Sequence, residues 1–159
     1  MLRFVNYSIV FQEVPGEVTL AINLSNCPHR CEGCHSPHLR ENTGEILDND
    51  TLAGLLEKYG NAITCVCFMG GDASPRNVEQ CSVFLREQTR GRIKTGWYSG
   101  KNSFPEECSL QSFDYVKLGA YIKNLGGLDS KTTNQRFYRI DNGKMINMTE
   151  AFFKVKGDR

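Results

Sequence analysis

Residues 63–78 read ITCVCFMGGDASPRNV, and this stretch decides the fold class. Residues 63–69 are a short apolar run bounded by turn residues, which is typical of a buried strand. The Gly-Gly-Asp turn at 70–72 ends the run. Pro75 is a favoured first residue of a helix, because its missing N–H needs no partner there. The stretch therefore predicts a strand, a tight turn and a helix that ends at Gly91.

The same alternation continues on both sides of this unit. Residues 18–24, VTLAINL, predict an earlier strand, and leucines at helical spacing in 52–59 predict a helix that ends at Gly60. Residues 93–98 and 115–118 predict two further strands. Strands that alternate with helices are typical of an α/β fold with a mainly parallel sheet.

The ends of the chain add strands of another kind. Residues 3–12 predict an N-terminal strand extension, and residues 136–148 predict a C-terminal hairpin around an Asp-Asn-Gly turn. A closed eight-unit barrel typically needs ~200 residues or more, whereas this chain has 159. We therefore expect an open, partial β/α barrel within a single domain, residues 1–159.

Composition narrows the classes of partner. The sequence is 40% hydrophobic and 23% charged with a net charge of +1, which is ordinary for a globular domain and argues against a polybasic surface for nucleic acid. No apolar stretch approaches the ~18 residues of a membrane span. The first residues lack the apolar run of a secretory signal. We expect a cytoplasmic protein with no nucleic-acid or membrane partner.

Three of the seven cysteines form a cluster in a long polar loop, residues 25–45. Residues 27–35 read CPHRCEGCH, which gives the spacing C-x3-C-x2-C directly after a predicted strand. Thiolates at Cys27, Cys31 and Cys34 can hold three corners of a cuboidal iron–sulfur cluster, whose fourth iron would then be open to a ligand. Spacing alone equally permits a Cys3His zinc site completed by His35 or His38.

The remaining cysteines are spread along the chain. The three cysteines at 27–34 could also be buried core residues that lie close together by coincidence. The polar character of the loop argues against this alternative. Cys65 and Cys67 alternate onto one face of a predicted strand, where they are either core residues or auxiliary ligands. We expect His29 to be a solvated loop residue.

The chain resembles a known enzyme family from Pro15-Gly16 to Asn134-Gln135. The cysteine loop after the first interior strand, the Gly-Gly-Asp turn and residues 97–100, WYSG, are similar to the radical S-adenosylmethionine enzymes. Together with the short length, they resemble the glycyl-radical activases, in particular those of anaerobic ribonucleoside-triphosphate reductase. The segment Asn134-Gln135-Arg136 shares the resemblance but suggests no role.

The resemblance implies a set of site residues. Cys27, Cys31 and Cys34 would hold a 4Fe-4S cluster that chelates the methionine end of S-adenosyl-L-methionine. Residues on the cofactor side would be Gly33, Cys34, His35, Gly70, Gly71, Asp72 and Ser99. Within that set, Gly70 and Gly71 would let the backbone approach the methionine, Asp72 would accept from its amino group, and Ser99 would contact the ribose or carboxylate.

The implied activity is an oxidoreductase reaction on a protein substrate. Reductive cleavage of S-adenosyl-L-methionine at the 4Fe-4S cluster would generate a glycyl radical on the large subunit of anaerobic ribonucleoside-triphosphate reductase. Reduced flavodoxin or a similar protein would supply the electron. Two alternatives stay open: a radical S-adenosylmethionine enzyme that acts on a small molecule, similar to a deazaguanine synthase, and a non-catalytic Cys3His zinc module.

Overall fold

The computed structural model describes residues 1–29 and 37–153, and these contain eight strands and two α-helices. The strands are β1 (Arg3–Val10), β2 (Thr19–Leu24), β3 (Glu45–Ile46), β4 (Cys65–Met69), β5 (Lys94–Tyr98), β6 (Tyr115–Leu118), β7 (Arg136–Asp141) and β8 (Lys144–Asn147). The helices are α1 (Asn49–Tyr59) and α2 (Pro75–Thr89). Short 3-10 turns lie at Pro37–Arg40, Leu110–Ser112 and Thr149–Phe152.

All the described strands belong to one sheet in the order β3-β1-β2-β4-β5-β6-β7-β8. The central strands β2, β4, β5 and β6 are parallel neighbours. Strands β1 and β3 on one flank, and β7 and β8 on the other, pair antiparallel. The predicted N-terminal extension and C-terminal hairpin are confirmed, and the α/β class is correct.

The prediction of a mainly parallel sheet is wrong for the sheet as a whole. Most neighbouring strand pairs are antiparallel, and parallel pairing is confined to the centre. Strands β7 and β8 are joined by a short turn at residues 142–143, which returns the chain in the opposite direction, whereas parallel neighbours need a longer crossover. Strands β3 and β8 are edges of the described sheet, so it is not a closed barrel.

The two faces of the sheet carry different cores. Both helices pack on one face, where Leu52 and Leu55 of α1 and Val78 and Leu85 of α2 meet the strands and the fully buried Trp97. The opposite face carries a smaller cluster composed of Val14, Cys65, Cys67, Tyr115 and Phe137.

Local signals explain where the helices begin and end. Asp48 caps α1 by accepting a hydrogen bond from Thr51 N at 2.9 Å, and α1 ends at Gly60 as predicted. Pro75 opens α2, and Arg90 and Gly91 end it in left-handed conformation. Neither described helix has the length and apolar character that crossing a membrane requires.

Candidate metal centre

The predicted site residues follow the central strands at a single edge of the sheet. Because β2, β4, β5 and β6 run parallel, their carboxyl ends lie together. The segment after β2 begins the cysteine loop, the segment after β4 is the Gly-Gly-Asp turn, and the segment after β5 contains Ser99 and Gly100. Open α/β sheets bind their ligands at this edge.

The Gly-Gly-Asp turn has a conformation that requires glycine. Gly70 and Gly71 have φ angles of 103° and 92°. A Cβ on Gly71 would lie 2.5 Å from Val78 Cγ2 and 2.9 Å from Leu24 Cδ1, so a side chain there would force these neighbours to shift. Trp97 Nε1 donates to Gly70 O at 2.7 Å and holds the turn against β5.

This turn directs Asp72 back over the end of β5. The residue is only 4% exposed. Ser99 Oγ donates to Asp72 Oδ1 at 2.6 Å, and Gly100 N donates to Oδ2 at 2.8 Å. A carboxylate can accept about four hydrogen bonds. Asp72 therefore occupies a fixed position and retains acceptor capacity beyond these two donors.

His29 supplies a further contact to the same carboxylate, and the prediction that it is solvated is wrong. Its Nε2 lies 2.6 Å from Asp72 Oδ2, and its side chain is 25% exposed. A carboxylate only accepts hydrogen bonds, so Nε2 is the donor. His29 lies within the C-x3-C segment, and the contact joins the cysteine loop to the end of β4.

The base of the cysteine loop is held by backbone hydrogen bonds. Asn26 N donates to Glu41 O at 2.9 Å, and Cys27 N donates to Leu39 O at 2.8 Å. Cys27 is half-buried. These bonds bring the two ends of the loop together at the carboxyl edge of the sheet.

The other residues predicted from the cysteine motif, Cys31, Gly33, Cys34 and His35, lie outside the described residues, as does the side chain of His38. Within residues 1–29 and 37–153, no group of three or more histidine, cysteine or acidic side chains is placed to hold a metal ion. The ligand set Cys27, Cys31 and Cys34 stays a prediction.

The donor set fits an iron–sulfur cluster chemically. Thiolates are the usual ligands of such clusters, and the one motif thiol that the structure describes, Cys27, is half-buried at a ligand-binding edge rather than in either core. Three loop thiols leave one iron of a four-iron cluster without a cysteine from the motif.

Cys65 and Cys67 are core residues. Both are fully buried in the cluster on the face opposite the helices. Burial raises the pKa of the Cys65 thiol to about 12 and raises that of Cys67 as well. A metal ligand must be a thiolate, so this apolar burial disfavours metal binding by both side chains.

Two buried polar residues at this edge escaped the sequence prediction. Lys117 is 8% exposed, and its Nζ donates to Ser99 O at 2.9 Å and to Gly119 O at 3.0 Å. Gln135 Nε2 also donates to Gly119 O, at 3.3 Å. The sequence did contain a signal for Lys117, because it is a lysine in an otherwise apolar interior strand. A buried lysine needs hydrogen-bond partners.

The side chain of Ser99 contacts Asp72. It is fully buried, and its hydroxyl is directed at Asp72. Lys101 N donates to the same Oγ at 3.1 Å. The predicted contact of Ser99 with a cofactor stays a prediction, and the contact that the structure contains is with Asp72.

Comparison with known proteins identifies the class. The family model described as a 4Fe-4S single cluster domain matches residues 14–117, more than half of the chain. The chain therefore belongs to this family, and it is an iron–sulfur protein. Searches of curated proteins and of solved structures found no match. The matched region runs from the segment before β2 to β6 and so includes the cysteine loop and the Gly-Gly-Asp turn.

Proposed function

We propose that the protein is a radical S-adenosylmethionine enzyme that activates anaerobic ribonucleoside-triphosphate reductase. The observation that carries the proposal is the contact between two segments. His29 of the C-x3-C-x2-C loop meets Asp72 of the Gly-Gly-Asp turn at the carboxyl edge of the parallel strands. The motif thus adjoins a glycine turn with a buried acceptor, where a cofactor with an ammonium group could bind beside a cluster.

The proposal assigns the residues of the cysteine motif to the cluster and to the cofactor. Cys27, Cys31 and Cys34 hold the cluster, and Gly33 and His35 line the adenosyl side. A 4Fe-4S cluster held there would supply the electron for reductive cleavage of S-adenosyl-L-methionine. The proposed product is a glycyl radical, formed when a glycine Cα of the reductase large subunit would lose a hydrogen atom to the 5′-deoxyadenosyl group. Reduced flavodoxin or a similar protein is the electron donor.

The geometry of the Gly-Gly-Asp turn supports its role. Gly70 is half-buried, so part of its backbone is accessible to a ligand. Asp72 Oδ1 accepts from Ser99 and has capacity for another donor, which suits an ammonium group. A cavity of about 470 Å³ adjoins this turn, with Arg76, Lys101 and Glu107 among its lining residues.

Anaerobic reconstitution tests the proposal. The protein is loaded with iron and sulfide, reduced with dithionite and incubated with S-adenosyl-L-methionine, and 5′-deoxyadenosine is measured. We expect the product from the wild type and from Cys108→Ala, a half-buried cysteine outside the motif, and none from Cys27→Ala. A brown protein that binds the cluster but forms no 5′-deoxyadenosine would contradict the radical reaction. Colourless protein with stoichiometric zinc would instead favour the zinc module.

A further inference from the structure

The contact between His29 and Asp72 involves a buried carboxylate that has other partners. The Asp72 side chain is 2% exposed and accepts hydrogen bonds from Ser99 and Gly100 as well. His29 comes from a different loop, 43 positions earlier in the chain, and reaches this carboxylate at 2.6 Å. The acceptor is therefore fixed in place independently of His29, as an anchor must be.

The backbone beside Asp72 is shaped to receive the imidazole ring. A Cβ on Gly100 would lie 2.8 Å from His29 Cδ2 and 2.9 Å from Nε2. Real Cβ atoms do not approach other atoms so closely, so the ring occupies space that any other residue at position 100 would fill. His29 thus packs on bare backbone while it donates to Asp72.

His29 is also coupled to the first cysteine of the motif. Only Pro28 separates it from Cys27. The proline ring fixes φ at that position and removes much of the freedom between the two residues. On its other side, Cys27 is attached through its backbone N–H to Leu39 O at 2.8 Å. The orientation of the Cys27 thiol therefore depends on both attachments.

We propose that His29 is a positioning residue that clamps the cysteine loop to Asp72 and so sets the position of the Cys27 ligand. This inference rests on the cluster ligation of the proposed function and does not depend on the reaction with S-adenosyl-L-methionine. Partners that orient metal ligands typically change metal affinity by about 10–100-fold when they are removed. The hydrogen bonds and solvent exposure around a cluster also set its reduction potential.

The clamp predicts a faster loss of the cluster when His29 is removed or displaced. We expect His29→Ala to release iron to a ferrous chelator about 10–100-fold faster than the wild type. Gly100→Ala should do the same although it keeps the histidine, because the new methyl group occupies the position of the ring. His29→Gln retains a side-chain donor and should release iron at close to the wild-type rate. Gly54→Ala is the matched control, since nothing lies within 4 Å of its Cβ position.

Two further readouts separate positioning from a general loss of stability. The midpoint potential and the electron paramagnetic resonance spectrum of the reduced cluster should shift in His29→Ala and Gly100→Ala and stay unchanged in Gly54→Ala. The double variant His29→Ala/Gly100→Ala should release iron no faster than His29→Ala, since both changes break one contact. Thermal unfolding of the cluster-free variants reports whether the fold itself has weakened.

The outcomes distinguish this proposal from the proposed function. Iron release and potential in His29→Ala equal to those of the wild type would overturn the clamp alone. Failure of His29→Gln to restore the wild-type rate, or Gly100→Ala equal to Gly54→Ala, would overturn it as well. A wild-type protein that keeps its cluster but forms no 5′-deoxyadenosine contradicts the radical reaction and leaves the clamp standing. A wild type that takes up no cluster overturns both.

Discussion

At the scale of single residues, Cys27 lies in a different environment from Cys65 and Cys67. Cys27 is half-buried in a polar loop at the sheet edge, whereas Cys65 and Cys67 are fully buried among apolar side chains. Burial also raises the pKa of Cys81 to about 11. A thiol that stays protonated at neutral pH is a poor metal ligand and a slow nucleophile. These environments support the proposal that the loop cysteines, and not the buried ones, hold the cluster.

The first prediction concerns cluster ligation. Replacement of Cys27, Cys31 or Cys34 by alanine should abolish both iron binding and cleavage of S-adenosyl-L-methionine. Cys65→Ala and Cys67→Ala should retain iron and lose only packing, about 1–2 kcal/mol of stability. Iron content and denaturant unfolding measure the two effects separately. A fall in iron content on replacing Cys65 or Cys67 would contradict the assignment.

The second prediction concerns Asp72, which has two roles in the proposals above. A hydrogen bond to a charged group contributes roughly 1.5–3 kcal/mol. Asp72→Ala should therefore weaken binding of S-adenosyl-L-methionine by about one to two orders of magnitude, while the cluster still assembles with its usual absorption.

His29→Ala is the control that separates the two roles of Asp72. Both variants should release iron faster than the wild type, because both break the clamp. Only Asp72→Ala should also lose cofactor affinity, since only this change removes the acceptor for the ammonium group. Equal affinities in equilibrium binding to the two variants would exclude that contact.

At the scale of elements, hydrophobic periodicity predicted the strands and helices that the structure contains. The apolar run at 63–69 became β4, and the helix opened by Pro75 became α2. The two-residue strand β3 escaped prediction, because so short a segment has no periodicity and forms only by pairing with β1. The antiparallel pairing of β1 with β2 and of β6 with β7 escaped for a similar reason, since pairing direction depends on which sheet edge is free when the chain returns.

The candidate site was predictable to a smaller extent than the elements. The residue types and spacing at 27–34 indicated a metal centre, whereas the role of residues 70–72 was implied by the family resemblance. The contact of His29 with Asp72 joins the loops that follow β2 and β4, and no local sequence pattern predicts such a contact. Buried Lys117 satisfies carbonyl groups at the ends of β5 and β6, which are also defined only by the sheet.

The third prediction concerns the turn after β4. Gly71→Ala should destabilise the protein by about 1–3 kcal/mol beyond the backbone strain, because the new Cβ would overlap Val78 and Leu24. Gly16→Ala is the matched control, since Gly16 also has a positive φ, of 80°, but nothing within 4 Å of its Cβ position. Urea unfolding of both variants isolates the steric cost. Equal urea midpoints for the two variants would show that Val78 and Leu24 shift to make room for the new methyl group.

The fourth prediction concerns Glu17, at the opposite end of the sheet from the candidate site. Its carboxylate accepts from Tyr115 OH at 2.6 Å, Thr64 Oγ1 at 2.7 Å and Lys94 Nζ at 3.3 Å. Burial acts to raise the pKa of Glu17, but these hydrogen bonds and the charge of Lys94 hold it below its usual 4.5. A lowered pKa in the folded state contributes stability that is present above the unfolded value and is lost as the pH falls through the folded value.

Unfolding at two pH values tests the contribution of Glu17. We expect Glu17→Gln to lower the free energy of unfolding at pH 7, since the amide cannot replace the charge beside Lys94. The difference from the wild type should shrink as the pH falls below 4.5. A difference that does not vary with pH would show that Glu17 acts through packing rather than ionisation.

At the scale of the whole molecule, the described sheet is open, with both helices packed on one face. Strands β3 and β8 are its edges in the described chain, and the parallel strands direct their carboxyl ends to one side. The described residues among those proposed to hold the cluster and the cofactor lie on this side. An open sheet does not by itself enclose a small substrate or exclude water from a carbon radical. The proposed radical reaction would therefore need another molecule to cover the site.

The fifth prediction follows from this open architecture. A loop of the partner reductase that carries a flexible glycine could cover the edge, because glycine permits close backbone approach and its Cα hydrogen is not shielded by a side chain. We expect the isolated protein to cleave S-adenosyl-L-methionine slowly, and the reductase or its glycine-bearing peptide to accelerate productive turnover. With that glycine deuterated at Cα, the deuterium should appear in 5′-deoxyadenosine, as measured by mass spectrometry. A peptide in which alanine replaces the glycine is the control and should transfer no label. Efficient turnover with the partner but without deuterium in the product would contradict glycyl-radical formation and would favour an enzyme that acts on a small molecule.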